Sequence, residues 1–222
     1  MNTKKRDERT ANAVPSCGIV SIHFALNCTL SSLSHHTLFL SKNYQKSWNV
    51  VDNPDLAFFN PDEFNFYVHT PSRTDNTVCP YGHDAITVLV PVPPLSKYKG
   101  EDRSTDVQIV RTAVLKKLQE MENASKKELN NDNINIIENH IVAENIREPE
   151  SWKEEFGLFR GSAFGLAHSI DQLNILRPRL KHPNINNLYR VGASTRPGNG
   201  VPLVMIGGRL TAEAVLRDLK KK

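Results

Sequence analysis

Asn187-Leu188-Tyr189-Arg190-Val191-Gly192-Ala193-Ser194-Thr195-Arg196-Pro197-Gly198-Asn199-Gly200-Val201-Pro202 leads into an apolar run broken by Gly207-Gly208, and then into a tail reaching Leu219. Residues 188–191 form a short apolar segment that predicts a strand, and a glycine-containing loop follows it. Pro202 marks the helix start, where a missing N–H costs nothing and the fixed φ suits the first turn. Val201, Val204, Met205, Gly208, Ala212, Val215, Leu216 and Leu219 then share one helical stripe. Strand, glycine loop and helix N-terminus together can hold a phosphate or another electron-rich group, because glycine admits close backbone approach and the free N–H groups and helix dipole face the ligand. The same pattern also describes an ordinary turn, since its spacing is neither G-x-G-x-x-G nor a P-loop.

Upstream of this stretch the chain alternates between strand and helix signals. Val20, Ile22, Phe24 and Leu26 alternate with Ser21, His23 and Ala25, the pattern of a half-buried strand. Leu38-Phe39-Leu40 predicts a short buried segment, and the polar stretch through Trp48 suits a helix. Phe64, Phe66 and Val68 mark a second strand. Residues 85–90 are apolar and β-rich, predicting a central strand covered on both faces and stopped by Pro91, Pro93 and Pro94. Val107, Val110, Val114, Leu118 and Met121 place a helix over 106–121, with Thr105 as N-cap. Residues 134–146 resume as a strand, and Ser151 with Glu154 matches a capping box for a short helix. Residues 156–167 are rich in Gly, Ala and Phe, which fits either a tightly packed loop or close backbone contact with something flat or bulky. The whole reads as a mixed α and β protein in three parts: a disordered polar tail over 1–14, a sheet-containing region over 15–150, and a C-terminal segment over 151–222.

Composition narrows the function classes. The 222 residues carry a net charge of +4. Much of the positive charge sits in Lys4-Lys5-Arg6 and Lys220-Lys221-Lys222, and no basic stripe interleaved with aromatics points to nucleic acid. Cys17, Cys28 and Cys79 form no C-x-x-C pair, the usage expected of unpaired thiols in a reducing compartment. The adjacent pair His35-His36 is a poor metal site if both lie on a strand, where neighbours point to opposite faces. The first ten residues do not read as a secretory signal, and no stretch approaches the ~20 apolar residues of a membrane span. The sequons at Asn27 and Asn123 therefore carry little weight. An intracellular protein is expected, soluble or attached to a membrane surface. Asp62/Glu63 and Glu154/Glu155 read as solvated faces rather than acid–base pairs.

Four blocks carry a resemblance: residues 64–75 (FNFYVHTPSRTD), 82–92 (GHDAITVLVPV), 161–168 (GSAFGLAH) and 191–202 (VGASTRPGNGVP). In this order they resemble the C-terminal part of the FAD-dependent phytoene desaturases of bacterial and fungal type, carotenoid-pathway flavoproteins of amine-oxidase-like fold. The resemblance implies a partial FAD/NAD(P)-binding fold: an antiparallel-sheet substrate domain, followed by the last strand and helix of the FAD domain. It implies dehydrogenation of phytoene towards lycopene with FAD as electron acceptor, on a lipid substrate at a membrane surface. Gly192, Ala193, Gly200, Val201 and Pro202 match the cofactor-facing positions, and no metal site is implied. Arg196 stands where many members carry His. No G-x-G-x-x-G occurs in this sequence, and that motif would supply most of the FAD surface. The chain is accordingly expected to begin partway through the substrate domain and not to retain FAD alone, and no catalytic residue is carried over. The alternatives are a non-catalytic carotenoid-binding or regulatory fragment, pairing with a full-length desaturase or with a second copy, and an inert product.

Overall fold

A computed structural model of the protein describes residues 13–47, 59–95, 106–128 and 137–220. Residues 1–12 of the expected polar tail, Trp48, Thr105 and residues 130–136 lie outside the described residues. The chain forms two compact units, Cys17–Gly161 and a second made of Ser162–Lys222 with the segment up to Ser16.

The first unit is built on a five-stranded antiparallel sheet: β1 (Gly18–Leu26), β2 (His36–Phe39), β3 (Phe66–His69), β4 (Asp84–Val92) and β5 (Ile141–Arg147), in the order β2-β3-β4-β1-β5. β1 runs against β4 over its whole length, from Gly18 opposite Val92 to Leu26 opposite Asp84. A short helix, α1 (Tyr44–Ser47), follows β2, and α2 (Val107–Glu128) follows β4. Val20, Ile22, Phe24 and Leu26 of β1 join Val68 of β3 and Ile86, Val88, Val90 and Val92 of β4 in the core, closed by Val110, Val114 and Leu118 of α2. The alternation in β1 and the three–four spacing in α2 thus meet across one apolar layer, whose area is the main favourable term in folding this unit.

Several sequence expectations change here. β4 is buried on one face only: Ala85, Thr87 and Leu89 are half-buried, because the described residues place no second layer over them. Pro91 lies within β4 rather than stopping it, opposite Ile19 of β1. The β3 ladder reaches β4 only from Thr87 to Leu89, so at Pro91 no ladder hydrogen bond is lost on that side. Leu38 and Leu40 are 70% and 65% exposed, not buried; β2 is an edge strand, and only Phe39 turns inward, stacked 4.2 Å from Phe66. α2 runs on to Glu128, and Asp106 accepts a 2.8 Å hydrogen bond from Gln108 N–H at its start.

The helix expected near Ser151 is α3 (Pro149–Phe156), with Glu148 at the N-cap and Ser151 already inside the first turn. Pro149 sets the earlier start, and Gly157 ends the helix at φ 65°. Trp152 Nε1 of α3 donates to Ile19 O at 2.9 Å, which attaches this helix to the sheet. The first unit thus includes α3 and runs on to Gly161.

Candidate functional site

Within the second unit, α4 (Val201–Leu219) begins where the sequence places it, with Gly200 at the N-cap, Val201 first and Pro202 second. The strand expected over 188–191 does not form. A single antiparallel bridge joins Lys181 and Tyr189, flanked by His182 N–H to Leu188 O at 2.8 Å and Arg190 N–H to Leu180 O at 2.6 Å. Leu188 and Val191 are exposed, and an isolated two-stranded pair has too little apolar contact to extend.

Arginines, not the glycines alone, shape the loop over 192–200. Arg177 is 2% exposed and donates from Nη1 to Ala193 O at 2.6 Å and from Nη2 to Leu166 O at 3.2 Å. Its Nε makes no hydrogen bond, and desolvation lowers the guanidinium pKa. Arg196 Nε donates to Arg177 O at 3.0 Å and Nη2 donates to Ile175 O. Gly192 O accepts from both Thr195 N–H, at 3.0 Å, and Thr195 Oγ1, at 2.8 Å. The Gly-Ala-Phe stretch is closely packed at Gly165, where a Cβ would stand 2.4 Å from Ser194 Oγ, while Phe156, Phe159 and Phe164 are exposed.

Gly200 holds φ at 99°, and no side chain caps the helix it starts. A Cβ on Gly192 or on Gly200 would meet nothing within 4 Å, whereas Gly207 is buried against Arg196 O and Pro197. Gly192, Ala193, Gly200, Val201 and Pro202 thus fall along one braced loop and the uncapped helix start. Val201 and Pro202 are exposed and Ala193 is half-buried. Uncapped N–H groups at a helix N-terminus suit an electron-rich ligand, and a cofactor such as FAD, with its phosphates and ring carbonyls, fits that donor set. At the other end of α4, Asp218 accepts from Tyr189 OH at 2.6 Å and pairs with Lys181 Nζ, offsetting an acidic group at a helix C-terminus.

α4 carries no charged residue over 201–208 and a stripe of Arg209, Glu213 and Arg217 further on, and only Gly207 of the helix is buried. Of the stripe read from sequence, Val204, Gly208 and Val215 are half-buried, while Val201, Met205, Ala212, Leu216 and Leu219 are exposed. A helix of that composition is normally enclosed.

No family model matches the chain. Curated relatives do. It is 34% identical to the phytoene desaturase of Neurospora crassa over 218 residues, 97% of this chain and 34% of that protein. It is 33% identical to the phytoene desaturase of Fusarium fujikuroi over 221 residues, 91% of this chain and 36% of that protein. By sequence, the chain is similar to phytoene desaturases along nearly its whole length. A zeta-carotene-forming phytoene desaturase of Myxococcus xanthus is 33% identical over 185 residues, 83% of this chain. The chain spans about a third of the length of these phytoene desaturases.

The four phytoene desaturase blocks divide between the units. Residues 64–75 and 82–92 supply β3, the turn after it and β4, in the sheet unit. That turn carries a clamp that the sequence reading did not single out: Arg73 donates to Asp84 Oδ1 at 2.7 Å and Oδ2 at 2.9 Å. Most of the third block and all of the fourth lie in the α4 unit. Arg177 was likewise passed over; an Arg-Pro-Arg in a loop carries no periodicity to single it out. Asp62 is exposed, Glu63 pairs with Lys46 at 3.5 Å, and Glu155 pairs with Arg147 at 3.2 Å, as solvated faces do. No disulfide joins Cys17, Cys28 and Cys79, and burial raises the Cys17 thiol pKa. Among the described residues no helix is long and apolar enough to cross a membrane.

Proposed function

We propose that this chain contributes the substrate-domain sheet and one wall of the flavin site of an FAD-dependent phytoene desaturase, which dehydrogenates phytoene towards lycopene. The observation that carries this reading is the match to phytoene desaturases along 97% of the chain, joined to an uncapped helix start at Gly200 in the block that resembles their signature. Gly192, Ala193, Gly200, Val201 and Pro202 would present main chain to the flavin. When bound, FAD would accept the two electrons removed with each pair of substrate hydrogens. The helix N-terminus would favour negative charge on the ring system beside it, and Arg177 would hold the loop in shape. A lipid substrate places such an enzyme at a membrane surface.

The exposed apolar sides of α4 support a second reading. A non-catalytic, carotenoid-binding or regulatory chain would cover that helix by pairing with a full-length desaturase or with another copy.

One experiment separates the two. The purified full chain is expected to hold no stoichiometric flavin, and co-expression with a dinucleotide-binding half from a related desaturase is expected to restore yellow absorbance and phytoene dehydrogenation. Flavin retained by the chain alone would overturn the expectation that one wall is insufficient. Pairing with the intact enzyme, but no restored dehydrogenation with the half, would favour the second reading. Reading the genomic sequence upstream of Met1 for an in-frame strand, G-x-G-x-x-G and helix is a cheaper check.

A further inference from the structure

The sheet face opposite the core carries a cluster of imidazoles. His36 of β2 stands directly opposite His69 of β3 in the ladder, and His35 immediately precedes β2. Because His35 lies outside the strand, strict alternation does not separate it from His36, and the reason for dismissing the pair disappears. The ring centroids of His35 lie 4.3 Å from those of His36 and 4.9 Å from those of His69. His35 Nε2 and His69 Nε2 are 3.0 Å apart, and one ligand nitrogen from each of the three rings falls within 4.8 Å of the others.

We propose that His35, His36 and His69 form a site for a divalent transition-metal ion of the zinc class, with water completing a tetrahedron. Bonds of about 2.05 Å in that geometry require nitrogens about 3.3 Å apart, close to the His35–His69 separation already present.

The surroundings orient the rings for that task. Thr74 Oγ1 lies 2.7 Å from His35 Nδ1, and Tyr67 OH lies 2.6 Å from His36 Nδ1. A hydroxyl accepting from Nδ1–H leaves Nε2 with its lone pair free, the arrangement that outer hydrogen bonds impose on metal-bound imidazoles. The backbone is held too: Thr70 N–H donates to His35 O at 2.9 Å. The Arg73–Asp84 clamp fixes the turn that carries Thr74. Nothing in the proposed desaturation uses these residues, so the two proposals fail independently.

The test is a Co2+ titration of the full chain, purified in mild detergent and stripped with chelator. The expected result is a visible d–d band that saturates at one equivalent and is abolished by Zn2+. His36→Ala and His69→Ala should each remove the band, and His168→Ala should leave it intact. Tyr67→Phe should weaken binding by about 10-fold or more while the metal-free melting temperature stays unchanged, which separates ligation from folding. No band, a band unaffected by His36→Ala and His69→Ala, or the intense absorption of a thiolate complex would each overturn the proposal.

Discussion

Arg73 grips Asp84 through two parallel hydrogen bonds of 2.7 and 2.9 Å, joining the turn after β3 to the first residue of β4. The Asp84 side chain is fully buried, and both of its oxygens have further donors: Ser72 Oγ at 2.7 Å and Leu30 N–H at 2.8 Å. The remaining Arg73 bonds go to Ser72 Oγ, Leu33 O and Leu30 O. A planar guanidinium is matched to this carboxylate, and an ammonium is not. Removing one partner of a buried pair leaves the other unpaired, at a cost of about 3–5 kcal/mol. Asp84→Ala should therefore destabilise the sheet unit by that order, and Arg73→Lys by less but clearly. Urea denaturation followed by tryptophan fluorescence measures both, and a midpoint unchanged in Asp84→Ala would refute the clamp.

Glu148 offers a pH test. Desolvation first, and then the charges of Glu150 and Asp106, raise its pKa above the ordinary carboxyl value. The folded state thus binds the proton more tightly than the unfolded chain. That contribution favours folding below the ordinary pKa of about 4.3 and is lost as pH rises through the folded value. Glu148→Gln should be more stable than wild type at neutral pH, with the advantage shrinking to nothing under acidic conditions. Thermal melts across a pH series supply the comparison, and equal melting temperatures at pH 7 would count against it.

Arg177 should matter to the glycine loop out of proportion to its distance from α4 in sequence. Arg177→Met removes the donors to Ala193 O and Leu166 O and leaves two carbonyls without these partners. The expected loss is on the order of 1–3 kcal/mol. It should appear as faster amide hydrogen exchange over 192–200, while exchange in β1 and β4 of the other unit stays at the wild-type rate.

The apolar outer side of α4 should govern solubility. Met205 and Leu216 are 69% and 58% exposed. Changing both to Gln should reduce self-association in sedimentation velocity, with stability altered by no more than about 0.5 kcal/mol, as for other surface substitutions. If a partner normally covers this helix, the same double variant should lose that partner.

What the sequence determined by itself was whatever local chemistry decides. Alternation in 20–26 and 64–68 specified strands, three–four spacing specified α2, and Gly200-Val201-Pro202 specified the start of α4. The likeness to phytoene desaturases was legible as well, because residues 64–75, 82–92 and 191–202 keep their order and spacing regardless of fold. Tertiary structure decided everything that depends on a neighbour. Residues 188–191 carry a strand pattern yet form one bridge, since a strand exists only where another lies beside it. Pro91 stays in β4 because the ladder on one side has already ended. Arg73 and Asp84 sit in separate motifs, and only antiparallel pairing brings a guanidinium onto a buried carboxylate. His35, His36 and His69 meet for the same reason: register sets His36 against His69, and the strand starts one residue too late to send His35 to the other face.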